Sequence, residues 1–311
     1  MPIVSPGKMD FSKKNIIMIL SGLPGTGKTT LALSAPDVLL IDTDEGLARV
    51  NPAHRKDASV CKTYEEILAD IKTARGQYKT IVIDTCGALI EYMKDWAMRT
   101  DPKSSKANGG FSLQGYGVIK SEFVRLSAEL RKDFNVIYLF HESMTKNGDE
   151  GVFYELVVEG STRTLVYQPA DLAGHLFIDH GKRYVGFTPT EQYSAKAAYG
   201  IKGIIEIPEL KDGDPNDFLT KLFAKVRSNL ASEAEQLNPQ RDAYTLVMRE
   251  VKKIVESVQN PDDVAGAAQA IKGLEHALTS EKEAKDMLKK RIAELGIVWD
   301  KTTKVYKYAD Q

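Results

Sequence analysis

The sequence predicts an α/β fold: a mostly parallel sheet with helices on both faces, then a β-hairpin region, then a helical appendage. Three observations predict it. Short apolar runs at Ile16–Leu20, Val38–Asp42, Thr80–Asp84 and Val136–Phe140 suit strands buried on both faces. Segments with apolar residues at helical spacing lie between those runs. The first run passes through Ser21-Gly22 into a glycine-rich turn followed by a short helix.

In chain order, Ile16–Leu20 is the first strand, and Thr29–Ala35 is a short helix stopped by Pro36. After the strand Val38–Asp42, Thr63 and Glu66 have the spacing of a capping box. Ile67, Leu68 and Ile71 give the helix that follows an apolar face, and Gly76 closes it. Thr80–Asp84 is the third strand. Leu89, Tyr92, Met93 and Trp96 mark a helix over Ala88–Met98. Residues 100–115 are rich in Lys, Ser, Asn and Gly and lack apolar periodicity, so they read as a loop. Helix resumes over Tyr116–Phe134, ahead of the strand Val136–Phe140. Beyond His141 the pattern changes to strands at Phe153–Val158, His175–Asp179 and Arg183–Thr188, the last two joined as a hairpin. Helices are expected over Asp217–Leu230, Arg241–Val258, Asp262–Leu278 and Glu281–Leu295, with breaks at Asn238-Pro239, Asn260-Pro261 and Gly296. The end, Ile297–Tyr308, reads as a small hairpin. Residues 1–210 therefore form the expected core and 211–311 a mainly helical C-terminal region.

The 42 Lys and Arg against 43 Asp and Glu leave a net charge of −1. That balance excludes a polybasic protein held to nucleic acid by bulk charge, while leaving room for a local basic strip. Apolar residues, at 42%, suffice for a sizeable core. Cys61 and Cys86 are too few for a disulfide framework, which points to a reducing compartment and a cytosolic protein. Met1–Asn15 has no apolar segment of the secretory type. The apolar runs fall far short of the ~18 residues a membrane span needs, so no membrane association is expected.

Gly22-Leu23-Pro24-Gly25-Thr26-Gly27-Lys28-Thr29, followed by Thr30, matches the phosphate-loop pattern G-x-x-x-x-G-K-[ST]. It follows a buried strand and opens a helix, as the mechanism requires. Glycines let backbone amides turn inward around phosphates, and the helix start adds partial positive charge. Lys28 supplies an ammonium to the β- and γ-phosphates, and the Thr29 hydroxyl is a ligand for Mg²⁺. The metal needs a second anchor, which Asp84 provides at the carboxyl end of a neighbouring strand. Residue 85 is Thr rather than Glu, so a catalytic carboxylate must come from elsewhere. Asp42, Asp44 and Glu45 reach the same edge of the sheet, with Asp42 and Asp44 on one face of the strand. His141 and Glu142 end the fourth strand there, where His141 suits a γ-phosphate sensor.

The phosphate loop, the short helix ending at Pro36, Ile41-Asp-Thr-Asp-Glu-Gly46 and Ile83-Asp-Thr85 resemble the phage-encoded RecA-like ATPases, a nucleotide-binding family that includes single-strand annealing recombinases. So do Gly115-Tyr-Gly117, Phe140-His-Glu142 and the stretch 174–200, and the resemblance spans residues 14–210. It implies a RecA-like P-loop core, ATP with Mg²⁺, homo-oligomerisation, single-stranded DNA as partner alongside a single-strand binding protein, and the cytoplasm of a bacterial host. The family's catalytic carboxylate falls on Asp44, where relatives carry the longer Glu, which leaves Asp44 and Glu45 both open as the base. Its sensor falls on His141. A family element that reaches a neighbouring subunit's nucleotide aligns with Lys196-Ala-Ala-Tyr-Gly200, in which Ala198 replaces an Arg. Lys182 and Arg183 are the alternatives.

The resemblance also places DNA along two loops, Lys103–Gln114 with Lys103, Lys106 and Phe111, and Ser143–Arg163 with Lys146, Phe153, Tyr154 and Arg163. Cations neutralise phosphates and aromatics stack on bases, though Asp149, Glu150 and Glu155 dilute the second strip. The functional expectation is an ATPase acting on single-stranded DNA in recombination, annealing or repair. The alternative is a nucleotide-switched regulator or loader of a protein partner, which the helical C-terminal region favours. A small-molecule kinase would need an Arg-rich lid, and only Arg125 and Arg131 lie where one would be sought.

Overall fold

A computed structural model describes residues 13–146, 151–158, 162–211 and 213–309. The expectations for Asp149 and Glu150 lie outside the described residues. The chain divides into two units, residues 12–229 and 230–311.

The first unit is built on a sheet of nine strands. The strands are β1 (Ile17–Gly22), β2 (Val38–Asp42), β3 (Asp57–Val60), β4 (Thr80–Asp84), β5 (Asn135–Lys146), β6 (Val152–Leu156), β7 (Leu172–Asp179), β8 (Lys182–Gly186) and β9 (Ile204–Ile207). Their order is β3-β2-β4-β5-β1-β7-β8-β9, with β6 paired to the extended end of β5. Pairing is parallel from β3 to β7 and antiparallel at β7-β8, β8-β9 and β5-β6. The helices are α1 (Lys28–Ala32), α2 (Tyr64–Ala74), α3 (Cys86–Thr100), α4 (Leu113–Asp133), α5 (Thr162–Leu165) and the first turns of α6 (Phe218–Ser257).

β1, β2 and β4 are buried at every residue, which explains their unbroken apolar runs. Each large apolar side chain removed from water there contributes roughly 1.5–3 kcal/mol. One core cluster joins alternate residues of β1, β2, β4 and β5 to Ile67 and Ile71 of α2, Leu89 and Met93 of α3, and Phe123 and Leu126 of α4. Thr63 accepts from the Glu66 amide at 3.2 Å, while the Glu66 carboxylate reaches back to the Lys62 amide at 2.8 Å, one residue upstream of the usual capping-box donor.

Two strands escape the sequence reading. β3 is an edge strand, largely exposed, whose Asp-Ala-Ser-Val carries no apolar run. β9 is a short outer strand with alternating exposure, and it forms because β8 offers it an unpaired edge. β5 runs to Lys146, well past Phe140, because its far half pairs with β6.

The core unit continues past residue 210. The Asn216 side chain donates to Thr30 O at 2.8 Å, and the Leu219 amide donates to Ser34 Oγ at 2.9 Å. Residues 211–229 are thus tied to the short helix after the phosphate loop.

The second unit holds the rest of α6, α7 (Pro261–Lys272), α8 (Ser280–Glu294) and the hairpin of β10 (Ile297–Asp300) and β11 (Val305–Tyr308). It has its own core, including Val251, Val255, Val264, Ile271, Ala284, Leu288 and Ile297. Asn260 and Asp263 form a reciprocal capping box at the start of α7. The expected break at Asn238-Pro239 is corrected: α6 runs continuously through Pro239. A proline removes one helical hydrogen bond and crowds one carbonyl. Pro239 is exposed, so water satisfies the freed group and the helix continues. Among the described residues no helix is long and apolar enough to cross a membrane.

Candidate nucleotide site

The sheet order creates the site. β5 lies between β1 and β4, so the carboxyl ends of three adjacent parallel strands bring Gly22, His141 and Asp84 to one edge. Gly22 sits in register with His141 on one side and Leu176 on the other. A Cβ at Gly22 would stand 2.6 Å from the Leu176 carbonyl oxygen, so close approach to β7 admits only glycine there. Gly25 and Gly27 have φ of 82° and 91°, the left-handed region in which successive amides turn inward. Thr26 is buried, and its hydroxyl donates to Leu23 O at 2.9 Å to close the turn, while Pro24 and Gly25 are exposed at its crown. α1 spans only five residues, so its macrodipole is small, and the loop amides and Lys28 dominate the attraction for an anion.

Lys28 is buried, and its Nζ donates to Gly22 O at 2.9 Å and to Leu23 O at 3.0 Å. Burial lowers its pKa, and the nearby charges of Asp84, Glu142 and Asp44 push it back up. The ammonium is held on carbonyls that phosphate oxygens would replace. Thr29 Oγ1 donates to Asp84 Oδ2 at 2.6 Å. The hydroxyl and carboxylate expected to share a cation are therefore already in contact, and this donor pair suits a hard ion such as Mg²⁺. Asp84 is 4% exposed; its pKa is raised to about 6, by burial above all and then by Asp44 and Asp42, against the lowering from the Thr29 bond and Lys28. A protonated or cation-bound Asp84 relieves that cost. The Asp84–Thr85 peptide is cis.

The three acids after β2 separate clearly. Both Asp42 oxygens accept backbone amides, Gly46 at 2.8 Å and Leu47 at 3.0 Å, so Asp42 anchors the turn. Glu45 is exposed with φ of 57°. Asp44 faces inward: its Oδ2 lies 3.8 Å from His141 Nε2 and 3.4 Å from Arg49 Nη2. A Cβ on Gly46 would stand 2.9 Å from Asp44 Oδ1 and 3.4 Å from Asp84 Oδ2, so this glycine leaves room for both carboxylates. Burial, then Lys28, lowers the pKa of His141, which keeps the imidazole neutral at pH 7.

Sequence reasoning missed two features. Glu142 Oε2 meets His175 Nδ1 at 2.8 Å with both side chains almost wholly buried, and the imidazole stacks on Tyr193 with ring centres 4.2 Å apart. The only signal was a histidine inside an apolar strand. The second feature is the position of Arg183, which sequence reasoning named only for reaching a neighbouring subunit and which lies beside Gly27 of its own chain. Of the other cations considered for reaching a neighbouring subunit, Lys182 pairs with Glu206 at 2.9 Å and Lys196 donates to Ala170 O at 2.5 Å. Both are held within their own chain.

The two loops expected to meet DNA differ. In the first, Lys103 and Lys106 are exposed on a tight turn closed by Ser112 N to Ser104 O at 2.8 Å and Lys106 N to Gly110 O at 2.7 Å. Phe111 is corrected from a base-stacking position: it packs against the core and over Gly115, edge-on to Tyr116. Leu113 is exposed instead. Arg99 in the last turn of α3 bonds Glu65 in the first turn of α2 at 2.8 Å, so this loop leaves from the carboxyl edge that carries the site. In the second loop, residues 147–150 and 159–161 lie outside the described residues. Arg163 is bonded to Glu155 at 2.6 Å, and Tyr154 packs on the His175 ring.

Residues 14–199 match a family model described as an AAA domain (AAA_24). A comparison with curated proteins returns no match. Solved structures with detectable likeness include an ATPase from the type III secretion system of pathogenic bacteria, at 14% identity and TM-score 0.35 over 53% of this chain. This chain covers 52% of that chain's length. Another is the flagellar accessory protein FlaH from Methanocaldococcus jannaschii, at 14% identity and TM-score 0.31 over 63% of this chain and 91% of that one. At those scores neither likeness carries an argument about function.

Proposed function

The chain belongs to the AAA-domain family and is a P-loop ATPase, and from that premise we propose that it hydrolyses ATP with Mg²⁺ to act on single-stranded DNA in phage-type recombination, annealing or repair. The observation that carries the nucleotide reading is the 2.6 Å contact between Thr29 and Asp84 beside a buried Lys28. Amides of residues 25–29 and Lys28 Nζ hold the phosphates, with Lys28 exchanging the Gly22 and Leu23 carbonyls for phosphate oxygens. Thr29 and Asp84 would hold Mg²⁺, which when bound would neutralise negative charge on the nucleotide. Asp44 orients the attacking water and draws off its proton, and His141 beside it senses the γ-phosphate. Asp44 stands beside His141 while Glu45 is exposed, which supports Asp44 as the base even though it is shorter than the family's Glu. Asp44→Asn is expected to leave ATP binding intact and slow turnover by about 100-fold or more. Glu45→Gln is expected to hydrolyse ATP near the wild-type rate. Parallel binding and steady-state hydrolysis measurements decide this, and loss of turnover in Glu45→Gln alone reverses the assignment.

Single-stranded DNA as the partner is supported by Lys103 and Lys106, exposed on a loop leaving the same edge as the ATP site. The protein is proposed to assemble as a homo-oligomer in the cytoplasm of a bacterial host, with a single-strand binding protein as a further partner. Lys103→Ala combined with Lys106→Ala is expected to weaken DNA binding and reduce the slope of log affinity against log salt by about 1.4, with basal hydrolysis unchanged. Fluorescence anisotropy across a salt series measures it. The second reading, a nucleotide-switched regulator of a protein partner, is favoured by the separate core of residues 230–311. DNA that leaves the ATPase rate unchanged selects that reading.

A further inference from the structure

We propose that Arg183 is a nucleotide ligand supplied in cis, gripping the α- and β-phosphates of a nucleotide bound to its own chain's phosphate loop. The proposal rests on the nucleotide reading above and extends it to a residue on the β7–β8 hairpin.

The placement comes from the sheet. Arg183 pairs in register with Ile178 of β7 and Ile207 of β9, one strand away from β1's neighbour. It shares a face of β8 with Val185 and Phe187, both fully buried, so that face packs inward while its end emerges beside the phosphate loop. Gly174 of β7 permits this, since a Cβ there would stand 2.5 Å from Val185 Cγ2. At the loop, a Cβ on Gly27 would stand 3.3 Å from Arg183 Nε and 3.5 Å from its Cδ. The guanidinium thus lies against the last glycine of the loop, the part that cradles α- and β-phosphates, and on the opposite side from Asp44 and His141.

Three further observations favour a ligand over a structural role. Arg183 makes no ion pair or side-chain hydrogen bond among the described residues, while its neighbour Lys182 is paired with Glu206. Together with Gly27 and Thr30 it borders a cavity of about 460 Å³. The far wall of that cavity is the segment around Ile207, Pro208 and Phe218, fastened to α1 by the Asn216–Thr30 bond. The phosphate loop, an unpaired guanidinium and a cavity with both apolar (Ile207, Phe218) and polar (Asn51, Glu209) walls therefore adjoin within one chain, the order in which phosphates and nucleoside follow in a nucleotide. A planar guanidinium suits two phosphate oxygens at once, which a lysine cannot match.

The test uses the full chain with MgADP and MgATP, measured by titration calorimetry. Arg183→Ala is expected to weaken both nucleotides alike, by roughly 10- to 100-fold, because the contact precedes the γ-phosphate. Arg183→Lys is expected to recover part of the loss, with unchanged circular dichroism confirming the fold of both. Unchanged affinity in Arg183→Ala overturns the proposal, and so does a loss confined to MgATP. Mixing Arg183→Ala with Lys28→Ala protein separates cis from trans. Restored hydrolysis means that Lys28→Ala subunits lend their arginine across an interface, which overturns the cis assignment; no rescue supports it. If the wild-type chain binds neither nucleotide, the nucleotide reading itself fails, a result distinct from any of these.

Discussion

Lys28→Ala is expected to lose MgATP binding by at least about 100-fold and to reduce hydrolysis to background. The ammonium is the only buried cation at the loop, and its two carbonyl contacts keep it in place for phosphate oxygens. Burial lowers its pKa, and the charges of Asp84, Glu142 and Asp44 counter that effect. Removing it takes away the ammonium that offsets the nearby charges of Asp84, Glu142 and Asp44. Lys28→Arg is expected to fail almost as completely, since a branched planar head does not fit the position of a compact ammonium under the loop. Calorimetric titration with MgATP checks both variants, and normal affinity in Lys28→Ala would falsify the site.

Asp84→Asn is expected to raise the thermal stability of the metal-free protein at pH 8 while abolishing turnover. Burial lifts the Asp84 pKa from 3.8 to about 6, so the folded chain holds this proton more tightly than the unfolded chain does. The stability contributed by the protonated acid is therefore complete below the unfolded value and is lost as pH rises through about 6. At pH 8 the wild type carries an ionised, buried carboxylate, at a cost on the order of 3 kcal/mol. The amide removes that cost, and a gain of about 5–10 °C in Tm is expected, vanishing below pH 4. Melting curves in chelator at pH 4, 6 and 8 measure it. Added MgATP should then stabilise the wild type strongly and the variant hardly at all. Equal melting temperatures across the pH series would show that Asp84 pays no burial cost.

That stability should be traded for function at this point is ordinary for a binding site: the chain keeps a carboxylate where an apolar or amide side chain would fold better. Asp44 and His141 stay partly exposed at the open edge of the sheet beside it. Gly46 lets the turn after β2 fold back towards Asp84, with room for both Asp44 and Asp84.

Much of the site was legible in the chain because its parts are local. The phosphate loop is one contiguous motif, and β2 and β4 begin and end where their apolar runs do, since strands buried on both faces admit no polar interruption. Choices between neighbours were not legible. Asp42, Asp44 and Glu45 are all carboxylates within four residues, and only the folded turn binds Asp42 to backbone amides, sets Asp44 beside His141 and leaves Glu45 exposed. Phe111 looked like a base-stacking residue, but the absence of a Cβ at Gly115 makes a slot that holds its ring.

By itself the sequence determined the α/β class and the phosphate loop, because hydrophobic patterning and backbone conformational demands act over a few adjacent residues. Only the tertiary structure decided that Asp44 stands beside His141, that Glu142 meets His175, and that Arg183 lies beside the loop of its own chain. Those outcomes depend on strand order and register, which are set by how residues more than a hundred positions apart share one core.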